Sequence, residues 1–146
     1  MREIKFRGKR VDNGDWVTGD LLQIEEDCRI WDYDITDNGV SDTLRLYEIW
    51  HNVDPATIGQ YTGLRDKNGV EIYEGDKIKA VIPKQGLWSE VTLAHGLVFY
   101  KGSSFRAPTG SHPGDWVRLD SLAPNVEIEV LGTRWDTPGL IERSGE

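Results

Sequence analysis

Apolar and polar residues alternate with a period of two along much of the first half of the chain. Segments 4–9 and 16–25 predict the two arms of a hairpin, and the turn sequence Asp-Asn-Gly-Asp lies between them at residues 12–15. Residues 29–35 place Trp, Tyr and Ile on one face, as in a half-buried strand. Residues 43–51 predict the returning strand. We therefore expect an N-terminal antiparallel sheet over residues 1–58.

The remainder of the chain consists of short apolar runs separated by Gly, Pro and Ser. A proline-containing connector occupies residues 53–59, and residues 63–69 end in an Asn-Gly pair that indicates a type I′ or bulged turn. Residues 101–114 hold three Gly, two Pro and three Ser, and predict a surface loop with structure only near Phe105. Short strands at this spacing predict an all-β protein with an SH3-like small barrel over residues 59–146. The two predicted modules could also share one continuous core.

Length and charge exclude several classes of function. The chain has 146 residues, with 17 Lys and Arg against 25 Asp and Glu, and a formal net charge of -8. Such a surface repels phosphate, which disfavours a broad electrostatic grip on DNA, RNA or anionic membranes. No apolar run is long enough to span a membrane, and the N-terminus does not resemble a secretory signal, so we expect a cytoplasmic protein.

The negative charge is unevenly distributed. Residues 1–73 hold 15 acidic and 9 basic residues, whereas residues 74–146 hold 10 and 8. The second part is therefore close enough to neutral to carry a local basic patch.

One long segment is similar to a known family. The string IGQYTGLRDKNGVEIYEGD, from Ile58 to Asp76, resembles the signature of the YopX family of phage and prophage proteins. The opening MREIKFR and the run IEVLG at residues 128–132 are similar to the family's usual start and end. The resemblance implies a small, mostly β protein acting in a bacterial host, in a family to which no biochemical activity is assigned. Relatives often carry Glu where this chain has Ala56, so that carboxylate is missing here.

The signature itself has two interpretations. Its four glycines lie where the chain must turn tightly, with aromatic and aliphatic residues between them, which is typical of a scaffold. Alternatively, it presents a polar and aromatic surface to a partner, because Tyr and Arg are enriched at interface hot spots. The residues of that candidate surface are Gln60, Tyr61, Thr62 and Arg65.

The chain shows no spacing typical of catalysis or metal binding. The three His, at positions 51, 95 and 112, are scattered, and Cys28 is alone. A calcium-like loop begins at Asp34, but Arg45 stands where a bidentate Glu should close the cage. We expect no cofactor and no metal, and we favour a protein without enzymatic activity. A hydrolase that uses the histidines or carboxylates remains an alternative.

The favoured function is that of a phage accessory protein acting through protein contacts and self-association, with an unidentified host or phage protein as partner. Trp88 and Trp116 are candidate anchors because Gly, Asp or Ser flanks each of them, although core packing explains either equally well.

Two alternatives invoke nucleic acid or its mimicry. A nucleic-acid-binding barrel would use a local lysine patch. The members of that patch are Lys77, Lys79, Lys84 and Lys101. An acidic face could instead mimic DNA and occupy a host enzyme, although acidic residues also serve solubility. The candidate acids are Asp27, Asp32, Asp34, Asp37 and Asp42.

Overall fold

The computed structural model describes residues 3–32, 50–110 and 114–136. Over these ranges the chain is all-β, with three antiparallel sheets and two short 3-10 helices, which confirms the predicted fold class. The strands are β1 (Phe6–Lys9), β2 (Trp16–Ile24), β3 (Asp27–Asp32), β4 (Trp50–Val53), β5 (Gly59–Arg65), β6 (Glu71–Tyr73), β7 (Asp76–Ile82), β8 (Val91–Leu97), β9 (Phe99–Lys101), β10 (Ser104–Pro108), β11 (Trp116–Arg118) and β12 (Glu127–Thr133). The chain divides into two compact units, residues 1–61 and 62–146.

The first unit is built on a sheet with the order β4-β3-β2-β1, continued by the start of β5. The predicted first hairpin is confirmed, because β1 and β2 pair with Lys9 opposite Trp16. Its turn is held by Asn13, whose side-chain oxygen accepts a hydrogen bond from the Asp15 N–H at 2.9 Å. The predicted strands over 29–35 and 43–51 lie partly outside the described residues. Their described parts belong to β3 and β4, which pair with Trp31 opposite Trp50.

The core of the first unit lies on one face of this sheet. Its buried members are Val17, Cys28, Ile30 and Val53. Gly8 lies directly beside this core, where a Cβ atom would come within 3.0 Å of the Val53 Cβ. A larger residue would therefore displace the β1 backbone from the core.

The connector after β4 forms a 3-10 helix over Pro55–Thr57. Asp54 caps it by accepting the Ala56 N–H at 3.0 Å. The buried Thr57 hydroxyl donates to the Asp54 carbonyl at 2.7 Å and accepts from the Lys9 N–H at 2.9 Å, which fastens the connector to β1. Ala56 is exposed and contributes its backbone N–H to the cap, so the helix does not depend on its side chain.

The second unit contains two three-stranded sheets, with orders β12-β7-β8 and β11-β10-β9. Their shared core is composed of Ile72, Ile78, Ala80, Ala94, Val98, Phe105, Ala107 and Leu119. Gly96 in β8 allows the ring of Pro108 in β10 to lie against the β8 backbone, because a Cβ atom at Gly96 would overlap that ring. β5 runs from the first unit into the second, where it pairs with β6.

The predicted SH3-like barrel is not confirmed. Within the described ranges none of the three sheets closes on itself. The predicted loop over 101–114 is structured beyond the immediate surroundings of Phe105, because it contains all of β10, with Ser104, Phe105 and Ala107 buried. Gly102 and Ser103 form only the tight turn that leads into this strand.

Candidate functional site

The signature segment builds a hydrogen-bonded turn around Asp66. The Asp66 carboxylate is buried and accepts from the N–H groups of Asn68 and Val70 at 2.9 Å each and from that of Val130 at 3.0 Å. Gly69 has a φ of +83°, whereas Asn68 keeps a negative φ, so the turn is the bulged alternative and not type I′.

This environment perturbs the titration of Asp66. Burial raises the pKa of the carboxyl, but hydrogen bonds from the Val130, Val70 and Asn68 N–H groups outweigh it, with help from the charge of Lys67. The pKa of Asp66 therefore lies below its ordinary value, and the ionised form is favoured in the fold.

Two more signature residues hold the neighbouring turns. The buried Thr62 hydroxyl donates to the Ile72 carbonyl at 2.7 Å and accepts from the Leu64 N–H at 3.2 Å. The Asp76 carboxylate, almost wholly buried, accepts from the Tyr73 N–H at 2.8 Å. The polar groups of the signature thus satisfy backbone groups of the second unit.

The four predicted partner-binding residues of the signature have different accessibility. Tyr61 and Thr62 are buried, and the Lys5 ammonium lies 4.9 Å from the centre of the Tyr61 ring. Gln60 is half-buried in β5. Arg65 is exposed and bonds to the Gly69 carbonyl at 3.2 Å and the Glu71 carboxylate at 3.4 Å.

The most exposed apolar side chains of the described residues lie at the tip of the β7–β8 hairpin. Leu87 is fully exposed at 103%, and Trp88 is 80% exposed. The turn is tight, since Gln85 and Trp88 exchange backbone hydrogen bonds of 3.1 and 2.9 Å. Gly86 has a φ of +56° and Leu87 a negative φ, as a type II′ hairpin turn requires. The tight turn, with Gly86 and Leu87 at its centre, therefore presents the side chains of Leu87 and Trp88 to solvent from a hydrogen-bonded backbone.

Trp116, the second predicted anchor, lies in the small sheet formed by β9, β10 and β11. The guanidinium carbon of Arg106 is 3.5 Å from the centre of the Trp116 ring, a close cation–π contact. Arg106 Nε also donates to the Ser104 hydroxyl at 2.8 Å, which fixes the guanidinium. Sequence reasoning missed Arg106. The sequence feature that could have indicated Arg106 is that it lies between two apolar residues, Phe105 and Ala107, and so on the opposite face of a strand from them.

The four predicted lysines lie on separate parts of the second unit and differ in exposure. Lys77 is buried and Lys79 half-exposed, two residues apart on β7, whereas Lys84 follows that strand and Lys101 belongs to β9 of the other sheet. Lys79 lies 3.6 Å from the Glu90 carboxylate. Partial burial, together with the charges of Lys77 and Lys79, lowers the pKa of His95, which pairs opposite Lys79.

The acidic residues considered for DNA mimicry are only partly described. Asp27 and Asp32 lie on opposite faces of β3, because five positions separate them in a strand of period two. Asp32 is half-buried, with its carboxylate 3.5 Å from His51 Nε2. Asp34, Asp37 and Asp42, like the calcium-like loop, lie outside the described residues. Within the described ranges no three His, Cys, Asp or Glu side chains are grouped so that they could hold a metal ion.

These features define an all-β protein of two units, with an exposed apolar hairpin tip and an arginine–tryptophan stack in the second unit. The family described as YopX protein matches residues 5–142. The chain therefore belongs to the YopX family, as its signature segment predicts.

Among solved structures, one similar protein is an Enterococcus faecalis protein. Protein EF1440 from Enterococcus faecalis is 19% identical, with 97% of this chain and 99% of that chain covered and a TM-score of 0.49. No curated protein sequence matches the chain. Among the described residues, no helix has the length and apolar character needed to cross a membrane.

Proposed function

We propose that this YopX-family chain is a non-enzymatic accessory protein, encoded by a phage or prophage, that acts through protein contacts and self-association. The observation that carries this proposal is the β7–β8 tip, where Leu87 and Trp88 are 103% and 80% exposed on a type II′ turn. Leu87 and Trp88 are adjacent in sequence, and exposed apolar groups that cluster, unlike apolar residues scattered singly, mark interaction sites.

Three properties of the tip favour a protein partner. Trp is the residue most enriched at interface hot spots, because a large rigid ring is buried at little conformational cost. The two backbone hydrogen bonds between Gln85 and Trp88 fix the turn, so less entropy is lost on binding. Val91, at the start of β8, adds another exposed apolar side chain close in sequence.

The experiment compares the wild-type chain with the Leu87→Ala/Trp88→Ala double variant. Light scattering at micromolar concentration measures self-association, and affinity capture from phage-infected host cells identifies other partners. We expect the variant to lose most of the assembled mass or of the captured partner, since a hot-spot Trp typically contributes about 2–4 kcal/mol.

Val70→Ala is the matched control, because Val70 is also an exposed apolar residue at a hairpin turn but lies away from the tip in sequence. It should leave assembly and capture unchanged. A wild-type chain that is monomeric and captures the same proteins as the double variant would overturn the proposal.

An SH3-like arrangement of residues 59–146 also remains a proposal. The short strands and their turn spacing support it, and an experimentally determined strand order that closes on itself would establish it.

A further inference from the structure

We propose that one face of the β9–β10–β11 sheet binds single-stranded nucleic acid, with a base stacked at Trp116 and the backbone held by Lys101, Arg106 and Arg118. This site is separate in sequence from the β7–β8 tip and does not depend on the protein contacts proposed above.

Strand register gathers these side chains on one face. Arg106 in the central strand lies opposite Phe99 on one side and Arg118 on the other. Lys101 lies opposite Ser104, and Trp116 opposite Pro108. Because alternate residues of a strand share a face, Lys101, Arg106, Arg118 and Trp116 all project to the same side. Phe105 and Ala107 occupy the other side and are buried in the core.

The centre of this face is a stacked arginine. The Arg106 guanidinium lies 3.5 Å from the centre of the Trp116 ring and is fixed by the Ser104 hydroxyl. Trp116 is nevertheless 40% exposed, so part of its surface remains accessible. Aromatic rings beside fixed arginines are what proteins use to stack single-stranded bases without regard to sequence.

The two arginines of the face have different partners: Arg106 stacks on Trp116, and Arg118 pairs with Asp120. Arg106 and Arg118 lie directly opposite each other, and like charges in that position are destabilising. Arg118 is relieved in part by Asp120, whose carboxylate accepts from its Nε at 3.1 Å and its Nη2 at 2.8 Å.

Local charge favours a polyanion here despite the acidity of the whole chain. Residues 99–120 contain three basic residues and two acidic residues, Asp115 and Asp120, a net charge of +1, whereas the whole chain has a net charge of -8. An acidic peptide would satisfy the charges but offers no bases to stack on Trp116. The combination of cations and an accessible indole therefore favours single-stranded nucleic acid.

The test is fluorescence anisotropy of a labelled oligothymidylate of about 12 nucleotides with the full chain, at about 50 mM salt. We expect salt-sensitive binding, at least tenfold weaker in Trp116→Ala, the range expected for the loss of one base stack. Lys101→Gln and Arg118→Gln should each weaken binding and lower the slope of log affinity against log salt by about 1. Lys84→Gln, which removes an exposed lysine outside the β9–β10–β11 sheet, is the matched control and should bind as the wild type does.

Several outcomes would overturn the proposal. These are the absence of oligonucleotide binding at low salt, equal affinity in Trp116→Ala, and equally effective competition by polyglutamate or by duplex DNA. Circular dichroism checks that each variant is folded. If Trp116→Ala does not fold, Trp116→Phe, which keeps a smaller stacking surface, and the Lys101→Gln/Arg118→Gln double variant decide the question. An unchanged affinity in both would refute the site.

Discussion

The carboxylate of Asp66 accepts a hydrogen bond from the backbone N–H of Val130, 64 positions further along the chain, at 3.0 Å. The same side chain also closes its own turn through Asn68 and Val70. One buried carboxylate therefore joins the signature turn to β12.

Replacing Asp66 should weaken both its own turn and its contact with β12. We expect Asp66→Ala to lower the free energy of unfolding by about 3 kcal/mol, because three partly buried N–H groups lose a charged acceptor. Asp66→Asn keeps one acceptor oxygen for these N–H groups, so its free energy of unfolding should fall by less. Urea unfolding followed by fluorescence measures both variants. A loss in Asp66→Ala no larger than that of the exposed cap variant Asp54→Ala would contradict this role.

The stability that Asp66 provides should depend on pH. The pKa of Asp66 is lower in the folded chain than in the unfolded chain, where it is about 3.9. The ionised carboxylate therefore adds its full share to the free energy of unfolding at a pH above the unfolded pKa. That share is lost as the pH falls through the lower pKa of the folded chain. The difference in unfolding free energy between the wild type and Asp66→Asn should therefore shrink between pH 7 and pH 3. A difference that stays constant over this range would show that the charge of Asp66 is irrelevant.

Gly75 should tolerate no side chain, for two separable reasons. Its φ is +91°, and a Cβ atom there would come within 2.5 Å of Trp135 Cζ3. Gly69, at a φ of +83°, has open space around it, so Gly69→Ala reports the backbone strain alone, about 1–2 kcal/mol. We expect Gly75→Ala to destabilise the protein more than Gly69→Ala and to change the near-ultraviolet circular dichroism of Trp135. Equal losses in the two variants would mean that the Trp135 contact is unimportant.

A glycine substitution in the turn between β9 and β10 should stabilise the protein. Gly102 and Ser103 have φ values of +59° and +72°, the pattern of a type I′ turn, and Ser103 adopts it at a steric cost. Ser103→Gly should raise the unfolding free energy by about 0.5 kcal/mol, the relieved strain less the added entropy of the unfolded chain. Ser89→Gly, at an exposed position with negative φ, is the control and should be neutral or slightly destabilising. The urea midpoint distinguishes these results.

The pKa of His95 should respond to one neighbouring lysine. Burial lowers this pKa, and Lys77 and Lys79 lower it further through charge repulsion. Lys79→Gln removes one of these charges and should raise the pKa of His95, which an NMR titration of the imidazole measures directly. Lys84→Gln removes a lysine that does not contribute to this shift and should leave the titration unchanged. An unaltered His95 pKa in Lys79→Gln would show that Lys79 does not contribute to the shift.

The candidate surfaces were only partly predictable from sequence. The Gly and Ser near Trp88 left an exposed anchor and core packing equally open, and the structure places Trp88 exposed at the tip of a hairpin. Arg106 was not predicted because it lies between Phe105 and Ala107 in a stretch rich in Gly, Pro and Ser, where strand alternation is hard to recognise. The sequence could not show that Lys101 belongs to another sheet than Lys77 and Lys79. Which strands share a sheet is decided by pairing and not by proximity in sequence.

What the sequence determined by itself is local. Period-two alternation and turn residues were sufficient to place the β1–β2 hairpin and a turn at Asn68-Gly69, whose bulged type the φ values of the structure decided, and one continuous string was sufficient to indicate the family. Only the tertiary structure decided that Asp66 bonds to Val130, that Gly75 lies under Trp135 and that Arg106 stacks on Trp116. The physical reason is that alternation fixes which face of a strand a side chain occupies, whereas these contacts depend on which strands pair, in what register and at what distance.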